Sequence, residues 1–443
     1  MKRVNIVVRC GLLSVFIVVF CLAAVASADP LKPLEARIIT DSETLPWDRR
    51  VYSYDMGVDA SGNIHIVYLK PTSGSSGDIV YSRRVSGVWS EQTLTSSGLK
   101  GSISTRLLVD SSGKVHISYI KNDEHLYYRT ATDGVPSSEI KVSDGAWHTR
   151  MQLDDNGRAM FVRELNLHSE KKLVLLTTVD AVSWHSTDVN NQPDVNKVRI
   201  GEFVYDNGVY HLTYGDAVTT KAVINYGPDG IFHNFHYASS VDGVNWTHSV
   251  IDTSQTLYEN EFWTSLIVDN GTPVVAMYKY AEYGGKYNTG TSVLLATWDG
   301  NLWQTQNITP ASYPDTREGM GVGLVQYAPG DYFAGWDFSP DNTHDDDYRG
   351  ERGNIALARS GTDGSWSTKW QIDEFSAEGE VKLQINNNRL YLLALGDYVD
   401  AKLYFREYDM ALFSSPPPPP PFPPISPSFG NIMAPIGILL LGK

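Results

Sequence analysis

The stretch HYASSVDGVNWTHSVID, residues 236–252, decides the fold. An apolar run meets a Ser/Asp/Gly turn, and a tryptophan then opens a second alternating run. Related stretches are VYSRRVSGVWSEQTL from Val80, LLTTVDAVSWHSTDV from Leu175, LLATWDGNLWQTQNI from Leu294 and LARSGTDGSWSTKWQI from Leu357. Two short alternating runs around such a turn read as a β-hairpin. A second hairpin motif precedes each Trp unit: GVDASGNIHIVY at Gly57, LVDSSGKVHISY at Leu108, QLDDNGRAMFV at Gln152, FVYDNGVYHLTY at Phe203 and IVDNGTPVVAMY at Ile267. Looser copies begin at Leu324 and Leu383. Two hairpins every ~45–60 residues is the spacing of four-stranded propeller blades.

The hairpin motifs mark seven blades, beginning near Tyr52, Thr105, Arg150, Gly201, Thr264, Gly319 and Val381. The seventh is one strand short, because AKLYFREYDM runs into a proline tract. Residues 34–42, LEARIITDS, match the outer strands WSEQTLTSS and THSVIDTS. The expectation is an all-β, seven-bladed β-propeller of four-stranded antiparallel blades, its ring closed by the N-terminal strand. Closure of this kind removes two sheet edges that would otherwise template aggregation.

The Asp-Gly turn joins the third and fourth strands of a blade, and its tryptophan is expected to pack between neighbouring sheets. This turn resembles the Asp-box of the bacterial neuraminidase repeat, Ser-x-Asp-x-Gly-x-x-Trp, of the sialidase-like propeller superfamily. Ser240, Asp242, Gly243 and Trp246 keep the residue types, with one residue fewer between Asp and Gly. In that superfamily the box is structural and lies away from the active site. A sialidase would also need three arginines, which Arg106, Arg150 and Arg317 match by type. The usual Arg-Ile-Pro start is absent (ARIIT is the nearest), and those enzymes have six blades.

The chain of 443 residues opens as an export signal. Lys2, Arg3 and Arg9 precede an apolar run over residues 12–25, and Ala26-Ser27-Ala28 forms a cleavage site. Residues 1–28 are read as a signal peptide, 29–413 as the propeller and 414–443 as a proline-rich linker with a short apolar tail. That tail resembles a curtailed sorting or anchoring signal, with a disordered tail as the alternative. Export to the medium or the cell surface follows. Both cysteines, Cys10 and Cys21, lie in the leader, so the mature chain has no disulfide, thiolate chemistry or Cys-ligated zinc. Without the three leader cations, 33 of the 36 Lys+Arg remain against 51 Asp+Glu, a net of −18. That argues against nucleic acid or an anionic membrane as a partner. No transmembrane helix is expected in the mature propeller, which is read as a monomer.

The segments entering the inner strands carry the candidate site. Ligand-binding residues are Trp47, Arg106, Trp147, Arg150, Trp263 and Arg317; catalytic candidates are Glu261, Glu318 and His148. Aromatic rings cover apolar sugar faces, while arginines and carboxylates take bidentate hydrogen bonds or pair with a sugar acid. For each residue the plainer reading is an ion pair around the channel mouth. His65, His116 and His211 share a His-x-x-Tyr frame and are read as packing residues of the second strands. No cofactor is required, but Asp341, Asp345 and Asp347 in the loop DNTHDDDYRGE would suit calcium. The first functional reading is recognition of an extracellular glycan or polysaccharide. A polysaccharide-degrading enzyme (glycoside hydrolase or lyase) and a protein-interaction scaffold are the alternatives.

Overall fold

A computed structural model describes residues 32–39, 53–72, 76–99, 105–146, 148–167, 170–189, 197–217, 232–252, 264–280, 291–309, 317–318, 321–339, 354–361, 363–367, 370–372, 380–396 and 402–414. It is a ring of seven antiparallel sheets. The inner strands are Tyr54–Val58, Arg106–Val109, Thr149–Leu153, Lys197–Asp206, Thr264–Asp269, Gly323–Ala328 and Lys382–Asn386. Each touches the inner strand of the next blade, and the last touches the first. Blade four shows the pattern: Lys197–Asp206, Val209–Ala217, Phe232–Ser240 and Thr247–Asp252 pair in sequence order. Blade two adds a two-residue strand, Val135–Pro136. The sixth blade begins with a separate piece, Arg317–Glu318, before Gly323–Ala328.

Alternating strands give each sheet two apolar faces, so the core is divided. Seven clusters of buried residues lie one at each junction between neighbouring blades. Trp89, Trp184, Trp246, Trp303 and Trp366 pack into five of them, each against the preceding blade, as the turn motif implies. In the turn that bears Trp246, Asp242 Oδ1 accepts from the amides of Val244 and Asn245 at 2.8 Å each. Gly243 sits at φ +70°, next to Leu175 and Tyr210 of the packed interface. Asp180 and Asp299 accept amides in the same way in blades three and five.

The N-terminal strand closes the ring. Glu35–Ile38 runs antiparallel to Leu403–Asp409, with Glu35 opposite Glu407 and Ile38 opposite Tyr404. Glu35 and Glu407 share Arg84 of blade one, and Trp89 Nε1 donates to Glu35 at 2.7 Å. The closing strand therefore fastens blade seven to blade one as well as completing it. The three repeat histidines are buried, and each Nδ1 meets a third-strand hydroxyl of its own blade: His65 with Tyr81 and His116 with Tyr128 at 2.7 Å, His211 with Tyr237 at 2.5 Å. Among the described residues no helix is long and apolar enough to cross a membrane.

Candidate functional site

Call the end of the ring where the inner strands begin its upper end. The second strands end and the third strands begin at the same end. At this end, side chains from six strands converge on two adjoining groups.

The first group lies in the axial channel. Arg106 of blade two reaches past blade one, its Nη1 lying 3.7 Å from Glu380 Oε2 of blade seven. Lys382 Nζ bonds Glu380 Oε1 at 2.6 Å and lies 3.9 Å from Asp55. Arg150 Nε stands 3.6 Å from Glu202 Oε1. A bulge between Ile200 and Phe203 inserts one extra residue opposite the second strand, and Glu202 is carried on it. Burial alone would raise the pKa of Glu380, but Lys382, Arg106 and Arg150 outweigh it and hold the carboxyl at about 2. Arg150 is lowered by burial and then by Arg106, while the surrounding acids raise Arg106 against its own burial. Tyr54, buried beside Glu380, is pushed far above the usual phenol range by burial and then by that charge.

Arg106 and Arg150, read from the sequence as ligand contacts, are thus 4% and 2% exposed and lie within an ion-pair network. Arg106 Nε and Nη2 and Arg150 Nε make no hydrogen bond among the described residues. Beneath them is a cavity of about 160 Å³ lined by Asp55, Gln152, Glu202, Glu380, Lys382 and Gln384, among others. A polar cavity of this size has room for several waters.

The second group is on the rim of blades three and four. His148 immediately precedes the inner strand of blade three, and its carbonyl accepts the Glu164 amide from the second strand. His148 Nδ1 lies 2.8 Å from Glu164 Oε2. Arg199 of blade four places Nη1 3.0 Å from that oxygen and 2.6 Å from His148 Nδ1. The Ile200 amide donates to the other oxygen of Glu164 at 2.8 Å. Burial would again raise Glu164, but His148, Arg199 and that amide hold it at about 2. The side chain of Glu164 is 1% exposed, whereas those of His148 and Arg199 are each 14% exposed. A carboxylate with a lowered pKa thus lies beneath a histidine and an arginine that both reach solvent.

Of the other sequence candidates, Trp47, Trp147, Trp263 and Glu261 lie outside the described residues, as do Asp341, Asp345 and Asp347. For Arg317 and Glu318 the backbone is placed, pairing with Ser339 and Phe338. Among the described residues no group of three or more His, Asp or Glu is arranged to hold a metal. Glu164, Arg199 and Glu202 were not singled out in the sequence. For Glu164 a signal existed: within AMFVREL it puts a charge on a strand whose neighbouring side chains are mostly buried.

No protein-family model matches the chain. No curated protein matches it in sequence either. The chain is similar in fold to several solved structures. One is an ulvan lyase, a polysaccharide lyase, with TM-score 0.49, 13% identity, and 83% of this chain and 93% of that one covered. Another is the α-L-arabinofuranosidase Arb93A from Fusarium graminearum, with TM-score 0.45, 13% identity and coverage of 74% and 98%. A third is the α-L-arabinanase of Penicillium chrysogenum, with TM-score 0.43, 13% identity and coverage of 86% and 99%.

Proposed function

We propose that the protein is an exported enzyme that cleaves an acidic polysaccharide lying across the upper face, with His148 as its acid–base group and the reaction an elimination. The observation that carries this reading is His148 seated on the buried, ionised Glu164, with Arg199 beside both. A polar partner at one ring nitrogen orients the imidazole and leaves the other available for proton transfer. Elimination at a uronate removes the proton next to the sugar carboxylate, and a nearby guanidinium stabilises the charge that develops there. With a net mature charge of −18, recognition of a polyanion would depend on such local cations.

Hydrolysis makes a different demand. Its general acid is a carboxyl whose pKa is raised, paired with a second carboxylate across the bond. Glu164 and Glu380 are instead held at about 2. Glu261 and Glu318 remain the hydrolase candidates. In the arrangement proposed here, residues 1–28 direct export, 29–413 form the catalytic propeller and 414–443 serve as spacer and tail, with calcium at Asp341, Asp345 and Asp347 as an accessory ion.

The test is turnover by the full chain on uronate-bearing polysaccharides and on neutral arabinans, following both unsaturated products and new reducing ends. The expected result is unsaturated product from uronate chains, lost by about 10²–10⁴-fold in His148→Gln. New reducing ends without unsaturation would move the chemistry to a hydrolase pair. Binding without turnover would return the propeller to recognition alone.

A further inference from the structure

The inner strand of blade four reaches both groups of the upper end: Ile200 donates to Glu164, and Glu202 faces Arg150 across 3.6 Å. Between these contacts, Gly201 and Glu202 both stand opposite Thr213, since Ile200 pairs with Tyr214 and Phe203 with Leu212. Strict alternation would turn Glu202 to the side of Val198 and Ile200, which lie in the apolar junction of blades three and four. The extra residue gives that place to Phe203 and sends the carboxylate to the axial cavity. A bulge disrupts the backbone ladder, and here side chains take over from it. The Ile200 amide goes to Glu164, the Phe203 amide to Glu202 itself at 3.1 Å, and the Glu202 amide to Thr213 Oγ1 at 2.8 Å. Thr213 is fully buried, and its hydroxyl lies 2.6 Å from that of Thr264, where blade five begins.

We propose that Thr213 is a positioning residue for the rim group: its hydroxyl holds the bulge, and the bulge holds Arg199 and the Ile200 amide on Glu164. The inference rests on the reading of His148 as the acid–base group and names what keeps its carboxylate partner supplied. Thr213 is buried away from any substrate, so it acts only through this strand. Gly201 adds conformational freedom at the bulge, which leaves the position of Ile200 to the hydrogen bonds on either side of it. Without the hydroxyl, the Glu202 amide is a donor with no acceptor. The strand relieves it by slipping toward the regular register, and that slip moves the Ile200 amide away from Glu164. Glu164 then lacks one of the groups that offset its burial, and Arg199, one residue before Ile200, moves with the strand.

Hydrogen exchange in the full chain reads the hold on the strand without turnover. Thr213→Val, which keeps the shape but replaces the hydroxyl with a methyl, should speed amide exchange over residues 199–203 by about tenfold or more. Thr213→Ser, which keeps the hydroxyl, should restore the parent rate. If Thr213→Val does not fold, Thr213→Ala, less crowded beside the amide, takes its place. On a uronate polysaccharide, Thr213→Val should lower kcat about tenfold with KM within about twofold of the parent, and Thr213→Ser should recover it. Ser360→Ala is the comparison for stability alone. It removes a buried hydroxyl that takes the Tyr332 amide at 2.7 Å in blade six, and it should leave kcat and exchange over 199–203 unchanged. Parent-like exchange over 199–203 in Thr213→Val overturns the proposal, as does an equal fall of kcat in Ser360→Ala or a Thr213→Ser variant that recovers nothing. If the parent chain cleaves no uronate polysaccharide, the lyase reading fails, and the exchange rates alone decide whether Thr213 holds the strand.

Discussion

A buried carboxylate stays ionised only where donors and cations replace its hydration, and here two do so within one ring. Glu164 and Glu380 are both held at about 2, by different sets of partners. Losing one partner is costly, because an uncompensated charge then remains inside. Arg150→Met is therefore expected to act on stability, leaving Glu202 facing an apolar stem, with a loss of about 3 kcal/mol in a urea titration. Arg150→Met combined with Glu202→Gln should recover part of that loss; a double variant no more stable than the single one would remove the pair from the account. Glu164→Gln tests the other group. It keeps the shape but takes away the charge under His148, so turnover should fall at least tenfold while the propeller still folds. Unchanged turnover would make Glu164 a packing residue. His148 was legible in the sequence because it stood beside Trp147 and Arg150 where an inner strand begins. The meeting of Glu164 with Arg199 was not, because their strands belong to different hairpins that only the ring brings together.

At the scale of the element, the repeat made the strands readable. Each hairpin carries its turn chemistry locally, so inner strands begin within a few residues of where the motifs put them. The bulges were harder to see. No residue in VRIGEFVYD announces that one strand will carry an extra residue, since that is set by the partner strand's register. The tryptophan of the turn carries the element's packing against the preceding blade. Trp246 fills the junction of blades three and four, with Tyr210 6.1 Å away between ring centroids. Trp246→Ala should cost about 3 kcal/mol, the low end for a large aromatic, because its ring is only partly buried. The closing strand can be tested by removing residues 34–42. That exposes the Leu403–Asp409 edge and strips Arg84 and Trp89 of Glu35, so the remaining chain should aggregate or melt well below the intact protein. Equal melting temperatures would mean that blade seven needs no fourth strand.

Among the described residues the buried apolar side chains gather at the blade junctions. Stability is spread over seven blade junctions, and buried titratable groups recur around the ring, which ties stability to pH in a definite direction. His65, His116 and His211 have their pKa values lowered, first by burial, with nearby aspartates opposing the shift only in part. An unfolded histidine takes up its proton near pH ~6.5. As pH falls below that value, the unfolded chain binds protons that the folded ring refuses. The contribution of these histidines is therefore complete above ~6.5 and is lost as pH drops toward their lowered folded values. Each adds a slope of at most about 1.4 kcal/mol per pH unit within that window. The carboxylates act lower down. Glu164 and Glu380 are stabilising above the ordinary glutamate range, and their contribution is lost as pH falls from ~4.3 toward about 2. Unfolding by urea at successive pH values should thus show constant stability near neutrality, a first decline below ~6.5 and a steeper one below ~4.3. His211→Phe removes one titrating ring without touching the axial network. It should flatten the first decline by up to about 1.4 kcal/mol per pH unit and leave the second unchanged. If His211→Phe declines as steeply as the parent protein through the first window, then His211 takes up its proton equally in both states, and the acid sensitivity of the ring must lie elsewhere.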